Sequence, residues 1–165
     1  MGVRLATVAD AASIARVYNE GIEDRIATFE TRPRTAADIE GWFDGRHPIV
    51  VAVDGDAVVG FASTSTYRPR DAYAGVAEFG VYVARSHRGR GLGRELMESL
   101  ASAAAERGFW KLVSRVFVEN SASRALLASV GFREVGIYRR HGKLEGEWRD
   151  VVIVERLIGE AAKPA

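Results

Sequence analysis

Cysteine is absent from the chain, which rules out disulfides, thiolate nucleophiles and zinc–thiolate sites. Charge of one sign is not in excess either. Twenty-three Lys and Arg face 22 Asp and Glu, a net charge of +1. A broadly basic face that grips nucleic acid across the whole molecule is therefore not expected. Histidine is scarce, and His47, His87 and His141 lie too far apart for a helical metal motif. No apolar run approaches the roughly 20 residues of a membrane span. Met1-Gly2-Val3-Arg4 passes straight into a strand-like segment, which does not read as a signal peptide. Repeats, low-complexity tracts and dividing linkers are also missing. What is present is 165 residues, 47% hydrophobic and 27% charged, the make-up of one globular core. These features lead us to expect one cytoplasmic domain over residues 1–159 and a loose tail over 160–165, with no metal, membrane or nucleic-acid partner.

Hydroxyl and carboxylate residues at capping spacing, Thr7 with Asp10 and Thr35 with Asp38, predict two early helices. The first follows Ile14, Val17 and Tyr18 to about residue 22; the second ends near residue 45. Residues 25–34 carry Pro33 and no period, so they read as a loop. Two β-rich runs, 49–53 and 58–62, flank Asp54-Gly55-Asp56 and predict a hairpin. Strands are expected over 76–83, 112–118, 132–137 and 151–157. Leu92, Leu96 and Leu100 give the helix over 91–107 its core stripe, with a stop at Gly108, and 121–130 forms a further helix closed by Gly131. The order β-α-α-β-β-β-α-β-α-β-β is that of a mixed α/β domain, antiparallel first and with a parallel crossover later.

The most informative stretch runs from Val81, Tyr82 and Val83 into Arg88-Gly89-Arg90-Gly91-Leu92-Gly93-Arg94. A strand leads through a glycine-rich turn into the longest helix. A helix start exposes unpaired N–H groups and about half a positive charge, and glycines let an anion approach them. Arginines and His87 surround the turn, so a multiply charged phosphate group is the expected ligand. No Gly-Lys-Ser/Thr follows, and the glycines are not spaced as G-x-G-x-x-G.

Arg88-x-x-Gly91-x-Gly93 instead resembles the R/Q-x-x-G-x-G/A signature of the GNAT superfamily of acetyl-CoA-dependent N-acetyltransferases. Asn120-Ser121-x-Ser123, then Leu126 and Gly131-Phe132, is similar to that superfamily's N-x-x-(A/S)…G-F pattern. Glu78-x-x-Val81-Tyr82-Val83 and Trp148-x-Asp150-Val151 resemble the phosphinothricin acetyltransferase group. The runs around Tyr18–Arg25 and Ala27–Thr31, with Tyr67-Arg68-Pro69-Arg70, look most like its arsinothricin N-acetyltransferase branch. The resemblance implies a bent mixed sheet of about seven strands whose central parallel strands splay apart, flanked by about four helices. It also implies a homodimer whose partner completes the acceptor pocket.

On that resemblance, acetyl-CoA enters the split. Val81, Tyr82 and Val83 line it, with the backbone of Val81 and Val83 bonding the pantetheine like an added strand. The turn from Arg88 to Arg94 holds the pyrophosphate, and Asn120 and Ser123 contact the pantetheine arm. A free amine must lose a proton before it attacks, and Glu78, three residues before Val81, is the candidate base. Its strand neighbours Val76, Phe79 and Val81 are apolar, so its pKa is expected to be raised. Strand alternation alone does not separate this role from a carboxylate on a solvated face. The thioester oxygen is expected to meet a strand N–H near Tyr82 or Val83. Leu127 stands where family members carry a proton-donating Tyr or His, which leaves Tyr82, Tyr138 or water to protonate the thiolate, or a thiolate that leaves unassisted.

Arg68 and Arg70, held apart by Pro69, suit a carboxylate, phosphinate or arsonate, though a solvated basic turn fits the composition equally. The resemblance implies a small amino acid with an oxyanion group as acceptor, with Phe29 and Glu30 in its pocket and Tyr73 closing it; Phe29 fits a core position as well. The basic residues Arg139, Arg140, His141 and Lys143 receive no role and read as a solvated loop or a dimer edge. Two further readings stay open: an acetyltransferase acting on protein N-termini, which needs an open groove, and a coenzyme A-binding module without catalysis.

Overall fold

A computed structural model describes residues 1–164. Its elements follow the expected order: β1 (Gly2–Leu5), α1 (Ala11–Asp24), α2 (Ala36–Glu40), β2 (Ile49–Asp54), β3 (Ala57–Thr66), β4 (Val76–Val83), α3 (Leu92–Glu106), β5 (Lys111–Phe117), α4 (Ser121–Ser129), β6 (Arg133–Leu144) and β7 (Glu147–Leu157). The seven strands form one sheet in the order β1-β2-β3-β4-β5-β7-β6. All neighbours are antiparallel except β4 and β5, which run parallel and pair only from Val76–Glu78 against Lys111–Val113. Beyond Glu78 the two strands part, and that split positions the site.

Strand alternation fixes which helix covers which face. Phe61 of β3 is fully buried against Tyr18 of α1 and Trp42. Its neighbour Gly60 faces the opposite way, where a Cβ would come within 3.1 Å of Leu96 on α3. So α1 and α2 cover one face and α3 the other, with the buried Leu92, Leu96 and Leu100 stripe against the sheet. α4 joins α3 on that face, since Leu126 leaves no room for a side chain at Gly93.

Three expectations shift. The second helix ends at Glu40 rather than near residue 45, because Trp42 and Phe43 donate to Ile39 and Glu40 in tighter i to i+3 turns. The expected strand over 132–137 extends to Leu144, and residues 139–143 lie within it rather than in a loop. A bulge between Tyr138 and Gly142, with Arg140 at φ 48° and its amide donating to Asp150, breaks the alternation that would have announced this strand. The tail expected over 160–165 begins as a short 3-10 turn, Gly159–Ala162, next to the buried Ile158. Ala165 lies outside the described residues.

Asp44 anchors the connection from α2 to β2. It accepts from the amides of Arg46 (2.9 Å) and His47 (2.8 Å), and its other oxygen lies 2.5 Å from Nδ1 of the buried His47 ring. Burial opposes its ionisation, but these donors outweigh that cost and bring its carboxyl down to about 2. A carboxyl depressed in the folded state stabilises the fold above its unfolded value near 4 and loses that contribution as pH falls toward the folded value. Asp44→Asn is therefore expected to flatten the acid limb of the stability profile between about pH 4 and pH 2. Urea unfolding at stepped pH measures this; an unchanged limb would assign the acid loss to other carboxylates.

Candidate active site

The split between β4 and β5 opens onto two cavities. Their shared wall includes Val81, Tyr82, Asn120 and Ser123. One cavity, about 450 Å³, lies against the glycine turn; the other, about 970 Å³, lies between the 25–34 loop, β4, β5 and the β6 bulge.

The open edge of β4 follows from its hydrogen bonds. The carbonyl of Phe79 accepts from Ser114 Oγ of β5 (2.9 Å), whereas the Ala84 amide turns the other way, to Val59 of β3 (2.8 Å). Main-chain groups alternate along a strand, so those of Val81 and Val83 also face the split. Those of Tyr82 face β3. Of the main-chain N–H groups near Tyr82 and Val83, only those at odd-numbered positions face the split, while Tyr82 turns its side chain to the cavity wall.

The turn is built as anticipated in outline. Gly89 and Gly91 have φ of 77° and 81°, a region that penalises side chains, and Gly91 caps α3. His87, Arg88, Gly89, Gly91, Leu92, Gly93 and Arg94 line the smaller cavity, while Arg90 does not. Arg88 is not idle: Nη2 lies 2.8 Å from Asp24 Oδ2 of α1 and Nε donates to the Val83 carbonyl (3.0 Å). Burial opposes ionisation of Asp24, but hydrogen bonds from Arg85 and Arg88 outweigh it and hold its carboxyl below the usual range. Asn120 caps α4 by accepting from the Ser123 amide (3.1 Å).

Glu78 projects into the larger cavity, in surroundings less apolar than its strand neighbours suggested. Its side chain is 33% exposed, and Oε1 accepts from Arg115 Nη2 at 3.0 Å. Arg115 Nη1 lies 3.3 Å from His141 Nε2. The β6 bulge brings His141 there and packs Gly142 against Phe29, whose ring would meet a Cβ at 2.9 Å. Phe29 also packs edge-on against Phe117 at 4.7 Å, and Glu30 accepts from Arg34 at 2.7 Å. Phe29 and Glu30 line the cavity as expected; Arg68, Arg70 and Tyr73 do not. Arg68 instead lies over the Tyr67 ring, in an exposed turn where Tyr67 meets Tyr73 edge-on.

Arg34, Arg115 and His141 are basic residues of the cavity to which the sequence assigned no role. Arg115 sits two positions beyond Val113, the β5 partner of Glu78, so a correct β4–β5 register would have pointed to it. Nothing local signalled His141, whose placement depends on the bulge. Leu127 is buried in the cavity wall, and the partly buried Tyr82 lines the same wall, stacked on Phe61 at 5.4 Å. Burial pushes the Tyr82 phenol well above its ordinary range, with Tyr18 adding to the rise and Thr28 opposing it. Tyr138 is 53% exposed and lines neither cavity. Among the described residues there is no group of three or more His, Cys, Asp or Glu that could hold a metal ion, and no helix is long and apolar enough to cross a membrane.

Residues 14–132 of the chain match the acetyltransferase (GNAT) family, and the chain belongs to that family. It is 33% identical over 158 residues to an L-methionine sulfoximine/L-methionine sulfone acetyltransferase of Pseudomonas paraeruginosa, covering 93% of this chain and 92% of the relative. It is 35% identical to a phosphinothricin N-acetyltransferase of Streptomyces coelicolor, covering 93% and 94%. Among solved structures, a GNAT superfamily phosphinothricin acetyltransferase from Sinorhizobium meliloti in complex with acetyl-CoA superposes with a TM-score of 0.88 at 31% identity, covering 99% of this chain and 92% of that one.

Proposed function

We propose that the protein moves the acetyl group of acetyl-CoA to the α-amine of a small amino acid whose side chain carries an oxo group, of the methionine sulfone, methionine sulfoximine or phosphinothricin type. Arsinothricin is included on the sequence resemblance. Acetylation there would detoxify such compounds. The observation that carries this reading is the meeting of the two cavities at Val81 and Tyr82, on the open edge of β4. The smaller one suits the diphosphate and pantetheine of the coenzyme: amides at the start of α3, Arg94 and Arg88 face it. The acetyl group would then lie beside Val81 and Val83, with Glu78 on the acceptor side.

Glu78 takes the proton of the incoming ammonium, directly or through water. The neutral amine attacks the thioester carbon, whose oxygen is met by a strand N–H. The C–S bond breaks, the nitrogen gives up its second proton to water, and the thiolate takes a proton from the solvent or from Tyr82, whose raised phenol remains protonated at neutral pH. The finer reading includes a cytoplasmic homodimer. Its support is the outer strand β6, whose edge is unpaired and which exposes Val135, Ile137 and Tyr138. Sedimentation measures the assembly.

An acceptor panel with a free-thiol readout tests the function. Methionine sulfone, methionine sulfoximine, phosphinothricin and arsinothricin are expected to release coenzyme A at rates at least tenfold above those with polyamines or peptides. Equal or greater rates with peptides would replace this reading by protein N-terminal acetylation. Binding of acetyl-CoA without thiol release from any amine would replace it by a non-catalytic module.

A further inference from the structure

We infer that Arg115 is the residue that recognises the acceptor's α-carboxylate, and that by doing so it releases Glu78 to act as the base. The inference rests on the amino-acid reading above and adds the residue that reads the amino acid as one.

The cavity offers three basic side chains, and their commitments differ. The Arg34 guanidinium is bound to Glu30 at 2.7 Å and also to the carbonyl of Arg32. His141 carries a charge only when protonated, and its Nε2 lies 3.3 Å from Arg115. Arg115 reaches the cavity from β5 with Nη2 on Glu78 and Nη1 on His141; its side chain is 47% exposed. A guanidinium carries five N–H donors in a fixed fork, and a carboxylate can bind two of them in parallel. The exposed turn carrying Arg68 and Arg70 lies outside this cavity, so it supplies no such fork within one chain.

Geometry then links recognition to chemistry. The α-amine of an amino acid is two bonds from its carboxylate carbon. A carboxylate held by Arg115 therefore brings the amine within reach of the group that lies 3.0 Å from that same guanidinium, which is Glu78. With the acceptor absent, the Arg115 bond occupies a Glu78 oxygen. When the acceptor's carboxylate takes over the fork, that oxygen is free to accept the ammonium proton. The acceptor replaces the ion pair it breaks, so charge in the cavity stays balanced. The proton passes from ammonium nitrogen to Glu78, the N–C bond forms as the C–S bond breaks, and the amine's second proton leaves to water or to the thiolate. An amine without the carboxylate would leave Glu78 tied to Arg115 and would be a poorer acceptor.

The test compares methionine sulfone with 3-(methylsulfonyl)propylamine, the same molecule lacking the carboxylate, in the wild-type protein and in Arg115→Gln. The wild type should show kcat/KM at least tenfold higher for the amino acid. Arg115→Gln should raise KM for methionine sulfone tenfold or more while moving KM for the propylamine less than twofold, with affinity for acetyl-CoA retained as evidence of folding. Arg115→Lys, which keeps the charge without the fork, should fall between. Equal losses for both acceptors, or an unmoved KM for methionine sulfone, would overturn the anchor. The wild type separates this from the broader reading: if it acetylates neither compound nor any other member of the amino-acid panel, the function itself is wrong. If it prefers the amino acid and Arg115→Gln preserves that preference, only the anchor is wrong. Should Arg115→Gln not fold, the same two-acceptor comparison on Arg115→Lys decides, with an undiminished preference counting against the inference.

Discussion

Glu78→Gln is expected to lower kcat roughly 10²- to 10⁴-fold, the range over which a positioned general base contributes. The change preserves shape and a hydrogen-bonding oxygen for Arg115 while removing the capacity to hold the ammonium proton. Because the Glu78 side chain is a third exposed and its ion pair with Arg115 is open to solvent, little stability is at stake. Acetyl-CoA is expected to bind with unchanged affinity, since Glu78 lines only the acceptor cavity. The measurement is thiol release from acetyl-CoA and methionine sulfone across pH 6–9, beside calorimetric coenzyme binding. A variant that keeps full rate over that range would remove Glu78 from the chemistry and return it to the solvated face that alternation alone allowed.

The largest effect on stability is expected from Phe61→Ala. Phe61 is fully buried, packs against Tyr18 and Trp42, and stacks on Tyr82. Truncating a buried phenylalanine removes its transfer energy and leaves a void, a loss of about 3–5 kcal/mol. For a chain of this length that corresponds to a fall in Tm of roughly 6–20 °C. The void also lies directly beneath the Tyr82 ring, whose packing sets the wall between the two cavities. Activity should therefore fall further than coenzyme binding when both are measured well below the transition. Thermal unfolding followed by circular dichroism checks the first part. A fall below about 3 °C would mean that neighbouring side chains collapse into the space, and the aromatic cluster would then not be the support of the site proposed here.

How much of this was legible beforehand depended on how local each signal is. The glycine turn was legible as a strand–turn–helix start because strand, glycines and helix are contiguous, and Gly89 and Gly91 do adopt the positive φ that glycine allows, although Arg90 does not line the smaller cavity. The larger cavity could be read only in part. Phe29, Glu30 and Glu78 were anticipated, whereas Arg68, Arg70 and Tyr73, chosen for chemistry and nearness in sequence, line neither cavity. A basic Arg-Pro-Arg turn looks the same on the page whether it faces a pocket or solvent.

Composition, capping signals and periodicity by themselves determined the order of the eleven helices and strands, and the contiguous Gly-rich turn marked the start of the helix after β4. These rest on interactions within a few residues of one another. Only the tertiary structure decided that β4 and β5 pair for three residues and then part, and that Arg115 meets Glu78 across that pairing. The same holds for the β6 bulge that brings His141 from a seemingly featureless basic stretch to the same guanidinium. The physical reason is that register is a contest between whole strands for buried area and hydrogen bonds. Its outcome aligns residues 37 and 26 positions apart, Glu78 and His141, on either side of Arg115.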